Sequence, residues 1–215
     1  MNITQELREL LQGEGCTLYG FADITVLPED ARKKLPVGIV MAYPLVAYGV
    51  QKNEAGQDIL INAHGGETFE PLERYTEAVT LFLKERKYKA NTKAYLKSVV
   101  TDKTVGTLGG LGWIGNCALL TTKEAGPAVR IAVILTNAPL ECNEPIMKSL
   151  CPPDCMECKN VCPTQAISGK RWERGVHRDD FFDVEACKKG RTKQGGLCWQ
   201  CISVCPLALN GIGNR

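Results

Sequence analysis

The sequence from residue 151 to residue 163 reads Cys151-Pro152-Pro153-Asp154-Cys155-Met156-Glu157-Cys158-Lys159-Asn160-Val161-Cys162-Pro163. A second run follows after a spacer and contains Cys187, Cys198, Cys201 and Cys205-Pro206. Both runs end in the spacing C-x2-C-x3-C-P, which is typical of bacterial proteins that hold two 4Fe-4S clusters. The pattern therefore predicts that the last third of the chain binds two such clusters through these cysteines.

The assignment of cysteines to clusters follows from the fold of two-cluster ferredoxins, in which the cysteine before the proline ligates the other cluster. We therefore predict a first cysteine set of Cys151, Cys155, Cys158 and Cys205, and a second cysteine set of Cys187, Cys198, Cys201 and Cys162. The spacing departs from ferredoxins in its C-x3-C start and in the long gap before Cys198, but a ligand needs only to reach its iron. A zinc ribbon, which also pairs C-x2-C units, and a disulfide framework are the alternatives. Two C-x3-C-P endings favour the clusters.

Composition is that of an ordinary globular protein, with 44% hydrophobic and 23% charged residues, and 215 residues suffice for one core plus a small appended domain. A formal charge of +2 gives no argument for a nucleic-acid or membrane partner. Residues 1–6 lack a basic export signal, and the apolar residues 37–50 are too few to span a bilayer. An odd number of cysteines at cluster spacing indicates a reducing compartment. We therefore expect a cytoplasmic protein without a membrane partner.

The first two thirds of the chain show the patterns of a mixed α/β domain. A helix is predicted over residues 4–11, with Thr4 as its cap, and a buried strand over residues 37–43. A second helix is predicted from Pro71 to the basic run that starts at Lys84. Residues 117–121 and 129–136 are predicted to pair as strands around a turn at residues 124–127. The composition changes after Pro139, so we predict an α/β cofactor-binding domain over residues 1–141 and a cluster domain over residues 142–215.

A glycine-rich segment, which reads Thr107-Leu108-Gly109-Gly110-Leu111-Gly112-Trp113-Ile114-Gly115-Asn116, precedes the predicted strand pair. Glycines allow the backbone to approach a cofactor or a neighbouring domain closely, although a tight packed turn would need them equally. The match to G-x-G-x-x-G from Gly110 to Gly115 does not predict a dinucleotide site, because it leads into a strand instead of opening a helix.

Three cysteines, Cys16, Cys117 and Cys142, lie outside the cluster motifs, where a cysteine is usually a small buried apolar residue. Cys117 directly follows the glycine-rich segment and could be an axial ligand or redox partner of a cofactor there. His64 is the best proton donor near neutral pH, although a loop histidine is more often solvated. The basic stretch at residues 84–97 could contact RNA but is more simply a solvated helix face.

Together these motifs resemble the epoxyqueuosine reductase family. The resemblance is carried by Leu111-Gly112-Trp113-Ile114-Gly115, by Ala118-Leu119-Leu120-Thr121, by Leu135-Thr136-Asn137-Ala138-Pro139-Leu140 and by the cysteine runs, in that order, and covers about residues 35–206. It implies a cobalamin-binding α/β domain of nitroreductase-like fold, an α+β sandwich related to that of corrinoid reductive dehalogenases, joined to a bacterial-ferredoxin-like domain. It also implies that the clusters feed electrons to the corrinoid cobalt. The cofactor would lie near His64, Gly110, Gly112, Trp113, Gly115 and Cys117.

The chain also departs from that family. Residues 95–98 offer no carboxylate where the family places its proton donor, and Asp102, the nearest acid, is in the wrong register. Asn116-Cys117 stands where relatives have a lysine and a small or polar residue, and ten residues follow Cys205, so we expect no helical extension that holds tRNA. We therefore do not expect tRNA as a substrate, and no catalytic residue is assigned.

These observations predict an oxidoreductase that takes electrons from a ferredoxin- or flavodoxin-type donor protein, passes them through two 4Fe-4S clusters to a cofactor, most simply a corrinoid, and reduces a small molecule. The alternative is an electron carrier or reductase partner without its own substrate site, in which the glycine-rich segment only packs the domains together. A nucleic-acid-binding zinc protein ranks last, because it requires both the zinc interpretation and the basic stretch. Iron, zinc and cobalt analysis separates these three classes.

Overall fold

The computed structural model describes residues 2–45, 49–52, 54, 56, 58–61, 69–92, 101–193 and 198–208. Its elements in chain order are α1 (Ile3–Gly13), β1 (Leu18–Asp23), β2 (Val37–Pro44), β3 (Gly49–Lys52), β4 (Asp58–Ile61), α2 (Phe69–Glu85), β5 (Ala90–Asn91), α3 (Asp102–Leu108), β6 (Trp113–Ile114), β7 (Leu120–Thr121), β8 (Val129–Thr136), α4 (Glu157–Asn160), a 3-10 turn (Arg178–Asp180), α5 (Val184–Lys193) and α6 (Gln200–Ser203). Among the described residues, none of the helices is both long and apolar enough to cross a lipid bilayer.

The chain divides into two compact units that alternate along the sequence. The first unit comprises Met1–Pro44, Gly65–Gly112 and Arg130–Ile146, and the second comprises Leu45–His64, Trp113–Val129 and Met147–Arg215. The last crossing between units falls after Ile146. The glycine-rich segment contributes to both units, because the division falls between Gly112 and Trp113.

The first unit is built on a four-stranded sheet in the order β1-β2-β8-β5, with β1 antiparallel to β2 and β5 antiparallel to β8. The predicted strand at residues 37–43 is present as β2, and its residues 37–42 are all buried. Successive residues of a strand point to opposite faces, and both faces of this sheet are apolar. Ile39 and Met41 pack in one hydrophobic cluster with residues of α1 and α2, whereas Val40 packs in another with residues of α3. The first unit is therefore a sheet with helices on both faces.

Both helices predicted from periodicity are present, as α1 and α2. The predicted cap of α1 is wrong, because the side chain of Asn2, not that of Thr4, accepts the hydrogen bond from the Gln5 amide at 2.9 Å. Thr4 is buried instead, and its hydroxyl accepts a hydrogen bond from the Glu141 amide at 2.9 Å. The helix therefore starts earlier than predicted and turns Thr4 toward the core.

The predicted pairing of residues 117–121 with residues 129–136 is also wrong. Strand β7 pairs antiparallel with β6, and β8 belongs to the four-stranded sheet. A tight turn selects β6 as the partner, since the Gly115 amide donates to the Leu119 carbonyl and the Ala118 amide donates to the Gly115 carbonyl, both at 2.9 Å. We call the resulting element, residues 113–121, the tryptophan hairpin.

Candidate functional site

The two cysteine runs of the second unit have the same local conformation. Helices α4 and α6 occupy the same position in the two runs, because each begins two residues after the first cysteine of its C-x2-C pair. The residues before them, Met156 (φ −120, ψ 9) and Trp199 (φ −114, ψ 3), have nearly the same backbone conformation. The prolyl cysteines also match, because the Cys162 amide donates to the Lys159 carbonyl and the Cys205 amide donates to the Ile202 carbonyl, each at 3.2 Å. The repeat in the sequence is thus a repeat in the structure.

A cavity in the second unit brings all four cysteines of the first set together. It has a volume of about 380 Å³, including space open to solvent, and its lining includes Cys151, Cys155, Cys158 and Cys205 together with Asn116, Cys117, Thr121 and Cys201. The first run supplies three of the four cysteines and the second run supplies Cys205. Cysteines of both runs therefore line one cavity, three from the first run and Cys201 and Cys205 from the second.

Cys201 lies among cysteines from both predicted sets and close to Cys117. Burial raises the pKa of the Cys201 thiol, and the nearby thiols of Cys117, Cys158, Cys198 and Cys187 raise it further. Cys162 and Cys201 pack against the same hydrophobic cluster, which contains Cys117, Cys158 and Ile167. Because Cys117 and Cys158 influence Cys201, the two sets are neighbours within this unit.

Electrostatics make the buried thiols poor anions by themselves. Burial, followed by the nearness of four other cysteines, raises the pKa of Cys158. Cys162 behaves differently, because hydrogen bonds from the amides of Thr164, Ala166 and Ile167 and from the Thr164 hydroxyl outweigh its burial and lower its pKa. A thiolate is stabilised by such donors or by a metal. Among the described residues, no group of three or more His, Cys, Asp or Glu side chains is placed to hold a single metal ion. A 4Fe-4S cluster does not need such a group, because each of its four thiolates binds a different iron.

The tryptophan hairpin makes two hydrogen bonds to the first cysteine run within the second unit. The indole Nε1 of Trp113 donates to Cys151 Sγ at 3.4 Å, and Asn116 Nδ2 donates to the Cys155 carbonyl at 3.1 Å. Both donors are at least nine-tenths buried. Sequence analysis predicted that Trp113 lies near a cofactor but did not predict its contact with a cysteine. The sequence pointed to Trp113 only because it is a large aromatic residue among glycines.

Arg171 is a residue of the site that sequence analysis missed. Its guanidinium donates to the carbonyls of Ser149, Cys151 and Pro152 at 3.0, 2.7 and 3.0 Å. The exposed side chain of Arg171 therefore restrains the backbone of residues 149–152, which includes Cys151. A contact between an arginine and backbone carbonyls about twenty residues away leaves no local pattern in the sequence.

The residues predicted to hold a cofactor are not all brought together. His64 and residues 95–98 lie outside the described residues. Gly110 and Gly112 belong to the first unit, whereas Trp113, Gly115 and Cys117 belong to the second. A Cβ on Gly110, where φ is +68, would lie 2.7 Å from the Glu144 carbonyl oxygen, and one on Gly115 would collide with Thr121 Oγ1. The close approaches that these two glycines permit are therefore to the protein itself.

The remaining candidates differ in environment. Cys16 is a core residue, and burial raises its pKa to about 12, while Cys142 is exposed. None of the eleven cysteines, all of which lie in the described ranges, is in a disulfide. Asp102 begins α3, and burial raises the pKa of its carboxyl to about 6. Its buried Oδ1 has no hydrogen-bond partner among the described residues. Asp102 is thus a carboxyl that can carry a proton near neutral pH.

Curated relatives of the chain are reductases. No family model matches the chain. The epoxyqueuosine reductase of Bacillus subtilis (strain 168) is 27% identical over 195 residues, which cover 82% of this chain and 48% of that protein. The epoxyqueuosine reductase of Listeria monocytogenes is 30% identical over 172 residues, or 75% of this chain and 45% of the relative. The tetrachloroethene reductive dehalogenase of Sulfurospirillum multivorans is 32% identical over 114 residues, or 48% and 23%. The chain thus spans about half the length of the epoxyqueuosine reductases that it matches.

Solved structures of both enzyme types share the fold. Epoxyqueuosine reductase in complex with a tRNA-Tyr epoxyqueuosine-modified stem loop superposes with a TM-score of 0.67 at 20% identity, over 97% of this chain and 66% of that chain. A reductive dehalogenase, whose structure suggested a mechanism for B12-dependent dehalogenation, superposes with a TM-score of 0.68 at 18% identity, over 94% and 31%. These matches confirm the mixed α/β prediction. The family resemblance seen in the sequence is confirmed as well: this chain is an epoxyqueuosine reductase-like protein related to the reductive dehalogenases.

Proposed function

We propose that the chain is an iron-sulfur oxidoreductase that carries electrons over two 4Fe-4S clusters to a corrinoid and thence to a substrate. The first cysteine set would hold one cluster and the second cysteine set the other. The observation that carries the proposal is the cavity at which Cys151, Cys155 and Cys158 of one run meet Cys205 of the other. When bound, the clusters supply one-electron carriers at low potential.

The residues present fit such clusters in their chemistry. Four thiols around one cavity are the usual donor set of a cubane. Amide and indole N–H groups point at several of the sulfurs, as at Cys162, at Cys205 through the amides of Leu207 and Ala208, and at Cys151 through Trp113. Such donors stabilise the negative charge of a ligated thiolate. In this proposal the second unit is the ferredoxin-like part, and the sheet of the first unit is the nitroreductase-like part.

The corrinoid is proposed from the relatives, not from contacts among the described residues. Gly110 and Gly115 make their close approaches to protein atoms, and His64 lies outside the described residues. The proposal of a corrinoid therefore rests on the relatives, one of which is described as B12-dependent. The alternative function is an electron carrier without its own substrate site.

We propose that the substrate is a small molecule, and the alternative substrate is tRNA. Our expectation against tRNA relied partly on residues 95–98, which lack a carboxylate. Asp102 lies just beyond them and has a pKa of about 6, so it could donate a proton near neutral pH. Because a relative has been solved with a modified tRNA stem loop, epoxyqueuosine-containing tRNA belongs in the assay beside small halogenated and epoxide substrates.

Metal analysis after anaerobic purification tests the electron-transfer part. Two cubanes require about eight irons and eight sulfides per chain and a broad visible absorption that bleaches on reduction. Stoichiometric zinc without iron after anaerobic reconstitution would refute it.

Titration with cobalamin separates the enzyme from the carrier. Binding to the cluster-loaded protein should change the cobalt spectrum, and Gly112→Val should weaken that change. A spectrum that stays unchanged at high cobalamin concentration, with both clusters present, would favour the carrier. A ferredoxin- or flavodoxin-type protein is the proposed electron donor and should reduce the clusters in a stopped-flow experiment.

A further inference from the structure

The indole N–H of Trp113 has a specific acceptor, the sulfur of Cys151. The ring nitrogen and Sγ are 3.4 Å apart, and the tryptophan is only 4% exposed. Indole nitrogen is a donor only, so the direction of this hydrogen bond is fixed. Cys151 belongs to the first cysteine set, and the donor therefore faces a sulfur that is proposed to ligate iron.

The position of the indole is determined by the hairpin that carries it. Trp113 pairs with Thr121 across the hairpin, and Asn116 anchors the turn to the Cys155 carbonyl at 3.1 Å. The sulfur is fixed from the other side, because Arg171 holds the backbone carbonyl of Cys151 at 2.7 Å. Donor and acceptor are thus both restrained, which is what a hydrogen bond needs in order to act on a metal ligand.

The physical effect of such a bond on a cluster has a definite sign. Reduction adds one electron, and part of the added negative charge appears on the ligand sulfurs. A hydrogen bond to a sulfur stabilises the reduced form more than the oxidised form and therefore raises the reduction potential. The bond is stronger in a buried site, where the local dielectric constant is low.

We propose that Trp113 is a potential-tuning residue: its N–H raises the reduction potential of the cluster that contains Cys151 and leaves the other cluster unchanged. This inference rests on the proposed function, because it requires a cluster at the first cysteine set. The couple is a one-electron reduction of that cluster by an external low-potential reductant, and no bond to Trp113 is formed or broken.

The test is a redox titration of the cluster-loaded protein, followed by electron paramagnetic resonance of the reduced clusters. Trp113→Phe removes the N–H and keeps an aromatic ring. Benzothienylalanine at residue 113 keeps the two-ring shape and replaces the N–H by sulfur, which guards against a packing effect. One of the two reduction steps should fall by about tenfold in equilibrium constant, or about 59 mV for one electron, and the other should not move.

Trp172→Phe is the matched control, because Trp172 meets the same segment through its backbone carbonyl, which accepts from the Ser149 amide at 2.8 Å. It should shift neither step. Unchanged potentials in both residue-113 variants, with full iron content, would overturn the inference. So would loss of the first cluster in both variants, since the residue would then hold the cluster instead of tuning it. Absence of iron from the wild-type protein would refute the proposed function itself and is read from metal analysis before any titration.

Discussion

Replacement of Gly126 by alanine should loosen the first cysteine set through the segment that carries Cys205. Gly126 ends a turn in which its amide donates to the Thr122 carbonyl at 3.0 Å, and its φ is +56. A Cβ there would lie 2.7 Å from the Ala208 backbone nitrogen and 3.2 Å from the Leu207 carbonyl carbon. The amides of those two residues hydrogen-bond Cys205. Backbone so close to a cysteine cannot move aside without disturbing those bonds.

The magnitude has two parts that a control variant separates. A left-handed conformation costs an L-residue about 1–2 kcal/mol, and forcing atoms into an occupied space costs about 1–3 kcal/mol more. Gly175 has φ of +96, and nothing lies within 4 Å of a Cβ built on it. Gly175→Ala therefore has the conformational cost without the collision. If opening of the site limits cluster loss, the extra 1–3 kcal/mol corresponds to a rate about five to 150 times faster in Gly126→Ala.

The assay is removal of iron by a chelator under anaerobic conditions, followed by the fading of the visible cluster absorption. Both variants should first bind the full complement of iron when they are reconstituted. We expect Gly126→Ala to release about half of its iron in a fast phase, because only one cluster uses Cys205, while Gly175→Ala resembles the wild type in this phase. Equal release rates in the two variants would refute the reasoning, since conformational strain alone would then account for both.

Three further predictions concern the crossed cysteines, a titrating carboxyl and the guanidinium. The double variant Cys151→Ala/Cys205→Ala should keep about four irons per chain, because both changes remove the same cluster. The double variant Cys151→Ala/Cys162→Ala should keep none, because each change removes a different cluster. The reverse result would establish uncrossed ligation. The raised pKa of Asp102 means that the folded protein binds its proton more tightly than the unfolded chain, so stability should fall as pH rises from about 4 through about 6. Asp102→Asn should therefore stabilise the protein by about 1–2 kcal/mol at about pH 8 after allowance for partial exposure, and by little at about pH 4, as measured by thermal unfolding under argon. Equal gains at both pH values would contradict this. Arg171→Ala should speed chelator access to one cluster. Arg178→Ala is the control that leaves the rate unchanged, because the exposed guanidinium of Arg178 pairs with Asp179 at 2.7 Å.

The similar local fold of the two cysteine runs could be predicted from sequence because ligand spacing is a local property. Each C-x2-C-x3-C-P run folds into the same short helix and turn, so its conformation is encoded within nine consecutive residues. Periodicity similarly sufficed for α1, α2 and β2, whose apolar residues face the core of the first unit. The assignment of the cysteines to particular clusters stays a prediction until iron is measured.

Other features depended on contacts that sequence patterns do not carry. Helix α3 was not predicted, because Gly106 and the glycines after Leu108 have poor helix propensity, and the helix is stabilised by burial of Val105 and Leu108. The strand pairing was mispredicted because the turn at residues 115–119 closes a shorter hairpin than the one expected. Arg171 and Asn116 act through hydrogen bonds to backbone carbonyls far away in the sequence. Many polar side chains can make such bonds, so the residue types alone do not predict them.

The departure from the family at residue 116 can be interpreted from these contacts. The resemblance places a lysine where this chain has Asn116, and the asparagine donates to the Cys155 carbonyl. Its Oδ1 is buried and has no hydrogen-bond partner among the described residues, although it belongs to a residue that lines the cysteine cavity. An amide in place of an ammonium removes one positive charge beside the proposed first cluster. Removal of a positive charge disfavours the added electron, whereas the N–H of Trp113 favours it. The potential of that cluster is therefore set by two opposing features of one hairpin, and a double change of Trp113→Phe with Asn116→Lys should move it less than Trp113→Phe alone.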